Sequence, residues 1–301
     1  MGLYRSSHPL AESFAHSPAL MPELPEVETV RRGLELQTQG FVVARVEVHR
    51  ARAIASPATP AAFAAALSGA EVGLWQRRGK YLMGGLSRQG VDAGTWGVHL
   101  RMTGQFLWID TPRPVCSHTR VQMFNLEGQE LRFIDIRSFG QMWWVPPGQP
   151  VDSVITGLQR LGPEPFSDSF TANYLRQRLR GSSRPIKSAL LDQALVAGVG
   201  NIYADESLYA AGILPHTPSS QLKPAQLEHL RRALVEVLET SIGAGGTTFS
   251  DFRDLTGSNG NYGGVAWVYR RGGEPCRRCH TPIRREKLGG RSSHWCPNCQ
   301  H

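Results

Sequence analysis

The chain has 301 residues, of which 41% are hydrophobic, and carries a formal net charge of +8. That length holds more than one core and, as a prior, two domains, while its apolar runs fall well short of the roughly 18 residues that cross a bilayer, which excludes a transmembrane helix. The positive balance favours a polyanionic partner such as nucleic acid over an acidic small molecule.

Residues 1–20 combine Ser, His, Pro and Ala without an apolar core. They read as a disordered extension or as the product of an upstream start codon, and as neither a signal nor a transit peptide. A helix is expected over Leu24 to Leu36: Pro25 suits its first turn, Glu26 and Glu28 complement the helix N-terminus, and Leu24, Val27, Val30 and Leu34 share an apolar side. Just before it stands Met21-Pro22-Glu23. An initiator methionine is usually trimmed before proline, which would leave Pro22 with a free secondary amine. An α-amino group has a pKa of about 7.7–8.0, so much of it is an uncharged nucleophile at neutral pH, and it forms an iminium ion directly with an aldehydic carbon. Glu23 is then placed to act as acid or base. The same residues also read as an ordinary helix cap after an internal methionine.

After Gly40 the period becomes that of strands. Val42, Ala44, Val46 and Val48 alternate with Val43, Arg45, Glu47 and His49, and short strands are expected around Val72-Leu74, Tyr81-Met83, Trp96-Met102, Phe106-Ile109, Arg120-Phe124, Leu131-Ile134 and Gln141-Val145. Such spacing makes a sandwich or barrel over 22–146. Pro146 to Pro150 reads as a stiff linker. Helices are expected at Thr171 to Arg180, Pro185 to Val196, Asn201 to Ala211 and Pro224 to Ile242, giving a helical domain over 151–250. Between the second and third of these, Asn201 reads as an N-cap whose free amides form an anion site with Lys187 nearby, or as a plain helix corner. Met102 and Phe139 read either as core residues or, with Arg137, as a set that fills the space left by an extruded base.

Residues 264–301 form a third unit. Cys276-x2-Cys279 and Cys296-x2-Cys299 supply four thiolates at the spacing of a structural zinc site, with disulfides or an iron–sulfur cluster as the alternative, and leave Cys116 as a single packed thiol. The segment holds eight basic and two acidic residues, and its Gly289-Gly290-Arg291-Ser292 tip lets an arginine enter a groove closely. Zinc thiolates without a secretory signal point to a reducing cytoplasm.

In order, the stretches PELPEVETVRRG, QRRGKYL, HLRMTG, DIRSFG, LGPEPF, LLDQALVAGVGNIYADES, GGTTFSDF, VYRRGGEPCRRC and the final cysteine pair resemble the bacterial formamidopyrimidine-DNA glycosylase family from Pro22 to the C-terminus. The resemblance implies an α+β multidomain protein: an N-terminal β-sandwich with a leading helix, a helix-two-turn-helix domain and a C-terminal zinc finger with four cysteine ligands. It implies excision of 8-oxoguanine and formamidopyrimidines from duplex DNA, followed by lyase chemistry, by a monomer in the bacterial cytoplasm. Residue by residue, Pro22 matches the Schiff-base nucleophile, Glu23 the acid/base, Lys80 a lysine of base excision or elimination, and Arg291 the finger-tip arginine of the second elimination or of phosphate binding. His118, Arg137, Lys187 and Asn201 match DNA contacts, and Met102, Arg137 and Phe139 the trio that fills the duplex. The loop after Gly245-Gly246-Thr247-Thr248 matches the segment over the flipped base. Ser138 stands where a second basic residue is common, and Arg101 where glycine is. An endonuclease VIII-like glycosylase for oxidised pyrimidines, or a non-catalytic binder of damaged DNA if the extension stays attached, are the competing readings.

Overall fold

The computed structural model describes residues 21–247, 255, 260 and 262–301. The extension over 1–20 and the loop from Thr248 onward that was matched to the base-covering segment lie outside them, apart from single residues of that loop.

The chain starts with α1 (Leu24–Gln37), whose Val27, Val30 and Leu34 are buried in the core of the β-rich half. Burying three such side chains contributes about 1.5–3 kcal/mol each. The following strands are β1 (Arg45–Val48) and β2 (Ile54–Ser56), then come α2 (Pro60–Leu67), β3 (Glu71–Arg78), β4 (Tyr81–Arg88), β5 (Val91–His99), β6 (Gly104–Ile109), β7 (Thr119–Phe124), β8 (Glu130–Asp135) and β9 (Gln141–Val145). They make two sheets of order β1-β7-β8-β6 and β2-β9-β5-β4-β3. Alternating side chains from both meet in one core. Trp75, Trp96, Phe106 and Phe133 interlock there edge to face or tilted, with ring centroids 5.1–5.8 Å apart.

Three strand-side expectations change. Val43 is buried and Val42 exposed, the reverse of the alternation read from the sequence, because Phe41 and Val43 exchange backbone hydrogen bonds with Gly69, Ala70 and Val72 before β1 begins. The strand expected to reach Met102 ends at His99, and 100–103 form a turn. Helix α2 and strand β2 carry no clear period and are found only in the structure; Thr59 caps α2 by accepting from the Ala62 amide.

Beyond the linker lie α3 (Val151–Val154), α4 (Ala172–Leu179), α5 (Ile186–Leu190), α6 (Asn201–Ala210) and α7 (Pro224–Gly243). The expected helix from Pro185 to Val196 stops at Leu190. Asp192 accepts the Ala194 amide, and the Gln193 side chain accepts from the Gly198 amide and donates to the Val199 carbonyl, so side chains replace the helical ladder. Leu24, the first residue of α1, is buried in the helical core and not the sandwich core, so α1 joins the two halves. The finger is the hairpin β10 (Arg284–Leu288) and β11 (Arg291–Trp295) with its cysteine knuckles. No helix among the described residues is long and apolar enough to cross a membrane.

Candidate active site

Pro22 and Glu23 are buried where the sandwich meets the helical domain. Glu23 precedes α1, and its amide donates to Glu26 Oε2 at 2.9 Å. Its own carboxylate crosses to the start of α6, where Oε1 accepts the Ile202 amide at 3.1 Å and Oε2 the Tyr203 amide at 3.4 Å. The glycines of the turn permit this approach. A Cβ on Gly200 would lie 2.2 Å from Glu23 Cδ, and Gly198, at φ +86°, would press a Cβ to 2.7 Å from Leu24. Two sequence expectations are corrected here. The N-cap of α6 is Gly200, with Asn201 the first helical residue. The anion held by the amides at the helix start is the carboxylate of Glu23, which leaves those amides committed.

Burial pushes the Glu23 carboxyl up to about 7; Lys80 opposes the shift, Glu26 adds to it, and the two amides offset part of it. Lys80 is itself buried, and desolvation lowers its ammonium from the usual range against the pull of Glu23 and Glu26. Glu26 is held protonated more readily than a free carboxyl, again by burial. It accepts from the Tyr203 hydroxyl at 2.6 Å and from the Thr247 amide and hydroxyl at 2.9 and 3.0 Å. Glu23 and Lys80 border a cleft of about 960 Å³ whose wall also includes Met21, Met102, Asn201 and Arg291. His99, on the same wall, is kept neutral by burial and by the charges of Arg101 and Lys80, and its Nδ1 accepts the Arg101 amide at 3.0 Å.

Arg291 reaches the cleft from the finger. Gly289 and Gly290 have φ of +56° and +82°, which fits a two-residue turn between β10 and β11. In the knuckles the four cysteine sulfurs lie within 4.8 Å of one another, with separations of 3.4 Å (Cys279 to Cys296 and to Cys299) and 3.9 Å (Cys276 to Cys299). Tetrahedral zinc with Zn–S of about 2.3 Å spaces its sulfurs by about 3.8 Å, so the residues present fit one structural zinc ion.

The remaining sequence-derived residues divide. Arg137 is exposed, Phe139 is 37% exposed, and the guanidinium carbon of Arg137 sits 4.9 Å from the Phe139 ring centre, so neither is a core residue. Met102 is half-buried on the facing turn. Buried Asp135 ties the two loops together: it accepts from the Thr103 hydroxyl and from the amides of Arg137 and Gly140 at 3.2 and 2.6 Å. Both positions that depart from the family pattern have left-handed backbone, Arg101 at φ +56° and Ser138 at φ +55°, which is why glycine suits the first. His118 is half-buried beside β7 and, with Arg137 and Phe139, lies off the cleft wall. Lys187, expected as a point charge for phosphate, is 1% exposed and pairs with Asp205 at 2.7 Å. It is an internal tie. Cys116, expected to be packed, is exposed. The sequence reading passed over Asp135, Asp205 and Glu206; the only signal was three acids in apolar contexts where carboxylates are seldom buried without partners.

A cleft lined from the sandwich, the helical domain and the finger of a basic protein, with a buried carboxyl and a buried amine on its wall, has the make-up of an enzyme site for a polyanionic substrate such as nucleic acid. Three family models match in order: the formamidopyrimidine-DNA glycosylase N-terminal domain at residues 21–142, its H2TH domain at 161–253, and a zinc finger found in FPG and IleRS at 273–301. The chain belongs to the formamidopyrimidine-DNA glycosylase family. A relative from Parasynechococcus marenigrum, named formamidopyrimidine-DNA glycosylase, is 68% identical over 280 residues, covering 93% of this chain and 100% of its own. Another, from Prochlorococcus marinus, is 64% identical over 290 residues with the same coverage. A Lactococcus lactis FPG mutant in complex with Fapy-dG containing DNA superimposes with a TM-score of 0.85 at 33% identity, over 93% of this chain and 100% of that one.

Proposed function

We infer that this chain removes oxidised purines, 8-oxoguanine and formamidopyrimidines, from duplex DNA and then cleaves the strand, working as a monomer in the cytoplasm with Pro22 as its first residue. The observation that carries the reading is the buried start of the family match: Pro22 lies between Met21 and Glu23 of the cleft wall, next to a carboxyl pushed up to about 7, with a depressed lysine on the same wall.

The prolyl nitrogen attacks the anomeric carbon of the sugar. The bond to the base breaks, and the base leaves with that electron pair and the proton shed by the nitrogen. Glu23, half protonated near neutral pH, delivers a proton to the ring oxygen, and the opened sugar is an iminium ion on Pro22. Loss of the adjacent carbon's proton then expels the 3′ phosphate. Lys80, with a lowered pKa and close to Glu23, is suited to proton transfer in these steps. Asn201 and Arg291 on the cleft wall, with His118 outside it, are assigned to the phosphates, and Met102, Arg137 and Phe139 to the gap left by the extruded base. Lys187 is assigned no direct contact. Zinc, when bound by Cys276, Cys279, Cys296 and Cys299, closes the finger and takes no part in the chemistry.

While Met21 remains attached, the Pro22 nitrogen is a tertiary amide without a usable lone pair. Borohydride should therefore trap a covalent complex of lesion DNA with protein starting at Pro22. Equal trapping by unprocessed protein starting at Met1, its mass confirmed, would refute the nucleophile.

A further inference from the structure

Asp205 lies on α6 one turn beyond Ile202, whose amide holds Glu23, and its side chain is fully buried. All of its accepting capacity is directed at α5 and the finger. Oδ1 takes Lys187 Nζ at 2.7 Å and the Ser293 hydroxyl at 3.3 Å, and Oδ2 takes the amide and the Nδ1 of His294, each at 3.0 Å. Lys187 also donates to the Ser292 carbonyl at 2.6 Å. Three consecutive residues of β11 are thus pinned to α5 and α6, and they are the three that follow Arg291. On the other side of Arg291, a Cβ placed on Gly290 would meet nothing within 4 Å. A Cβ on Gly289 would lie 3.1 Å from Ser188 Oγ of α5, and Arg291 pairs with Leu288 across the hairpin, so the tip follows the register in which the pinned strand sits. Glu23 and that strand hang from the same helix, one turn apart.

A buried ion pair contributes little to stability beyond what a well-packed apolar pair would, because desolvation offsets its attraction. What this one supplies is direction, since four donors from a single strand and its neighbour fit two oxygens in one register only.

We propose that Asp205, together with Lys187, is a positioning group that sets the register of β11 on α6 and so holds the Arg291 guanidinium against the phosphate released in the second elimination. The assignment rests on the reaction proposed above. In that step the unsaturated iminium loses a further proton from the opened sugar to a base. The electrons move through the conjugated chain toward the second carbon–oxygen bond, which breaks with its pair leaving on the phosphate. No oxidant or reductant is needed, and the cation offsets charge where it develops.

The test uses zinc-loaded protein starting at Pro22 and an end-labelled duplex with one abasic site, and it reads the ratio of doubly to singly eliminated product. A Lys187→Met/Asp205→Asn double variant removes both charges while keeping volume and one acceptor. It should retain one zinc per chain and release 8-oxoguanine within about threefold of wild type, while the product ratio falls about tenfold or more, as expected for a group displaced by roughly an ångström. Asp205→Asn alone should show the same fall. A zinc-loaded double variant with a wild-type ratio would overturn the proposal. Loss of zinc by the double variant would overturn it as well, making the pair a folding device. Failure of wild-type protein to cleave the strand at all would refute the reaction itself, a result distinct from either.

Discussion

Replacing Glu23 by glutamine tests the buried carboxyl in two ways at once. Its pKa stands at about 7 against an ordinary value of 4.5, chiefly because burial penalises the charge. A group raised in the folded state lends stability that is complete below its unfolded pKa and is lost as pH rises through the folded value. Here the loss starts near 4.5 and is complete above about 7. A difference of roughly 2.5 in pKa at about 1.4 kcal/mol for each makes about 3 kcal/mol at pH 8 and less than about 1 kcal/mol at pH 5. Glutamine cannot ionise and keeps an acceptor for the Ile202 amide, now at 3.1 Å. Glu23→Gln should therefore be more stable than wild type at pH 8, by about 5–10 °C in Tm, with the gap nearly closed at pH 5. Base release should fall by about 10²–10⁴ because no proton can be transferred. Thermal melts at the two pH values and single-turnover excision measure both effects. A variant that is less stable at pH 8, or whose offset does not change with pH, would show that the carboxylate is ionised and held by its amides, against the burial argument.

Three further outcomes follow from the same geometry. Gly200→Ala, whose methyl would lie 2.2 Å from Glu23 Cδ, should displace the carboxyl and cut base release by about 10²-fold, with about 1–3 kcal/mol of stability lost to overpacking; wild-type turnover would disprove the close approach. Cys296→Ser should lower zinc content and DNA affinity together, since folding of so small a finger depends on the metal; a variant with one zinc per chain and unchanged affinity would contradict this. Arg137→Ala, removing an exposed side chain, should change unfolding free energy by less than about 0.5 kcal/mol. It should slow excision of 8-oxoguanine opposite cytosine more than cleavage at an abasic site, and equal losses on both substrates would return Arg137 to a structural role.

Several features were legible in the chain before any fold was known, because they depend on near neighbours. The apolar side of α1 follows from a 3.6-residue period, the metal site from two Cys-x2-Cys pairs, and the finger turn from two adjacent glycines that tolerate positive φ. The family resemblance drew on the order of such local stretches. Tertiary structure alone decided where polar groups spend their hydrogen bonds. The amides at the start of α6 serve a carboxylate 179 positions away, a pairing that no spacing encodes. Lys187 looked like a solvent cation until Asp205 and a finger carbonyl 105 residues on enclosed it. Arg137 and Phe139 sit among apolar strands in sequence yet face outward, because Asp135 draws their loop to the Met102 turn. Periodicity reports which side of an element is apolar, whereas the partner of a buried charge is set by whichever distant segment packs against it, and in this protein those segments come from both domains and the finger.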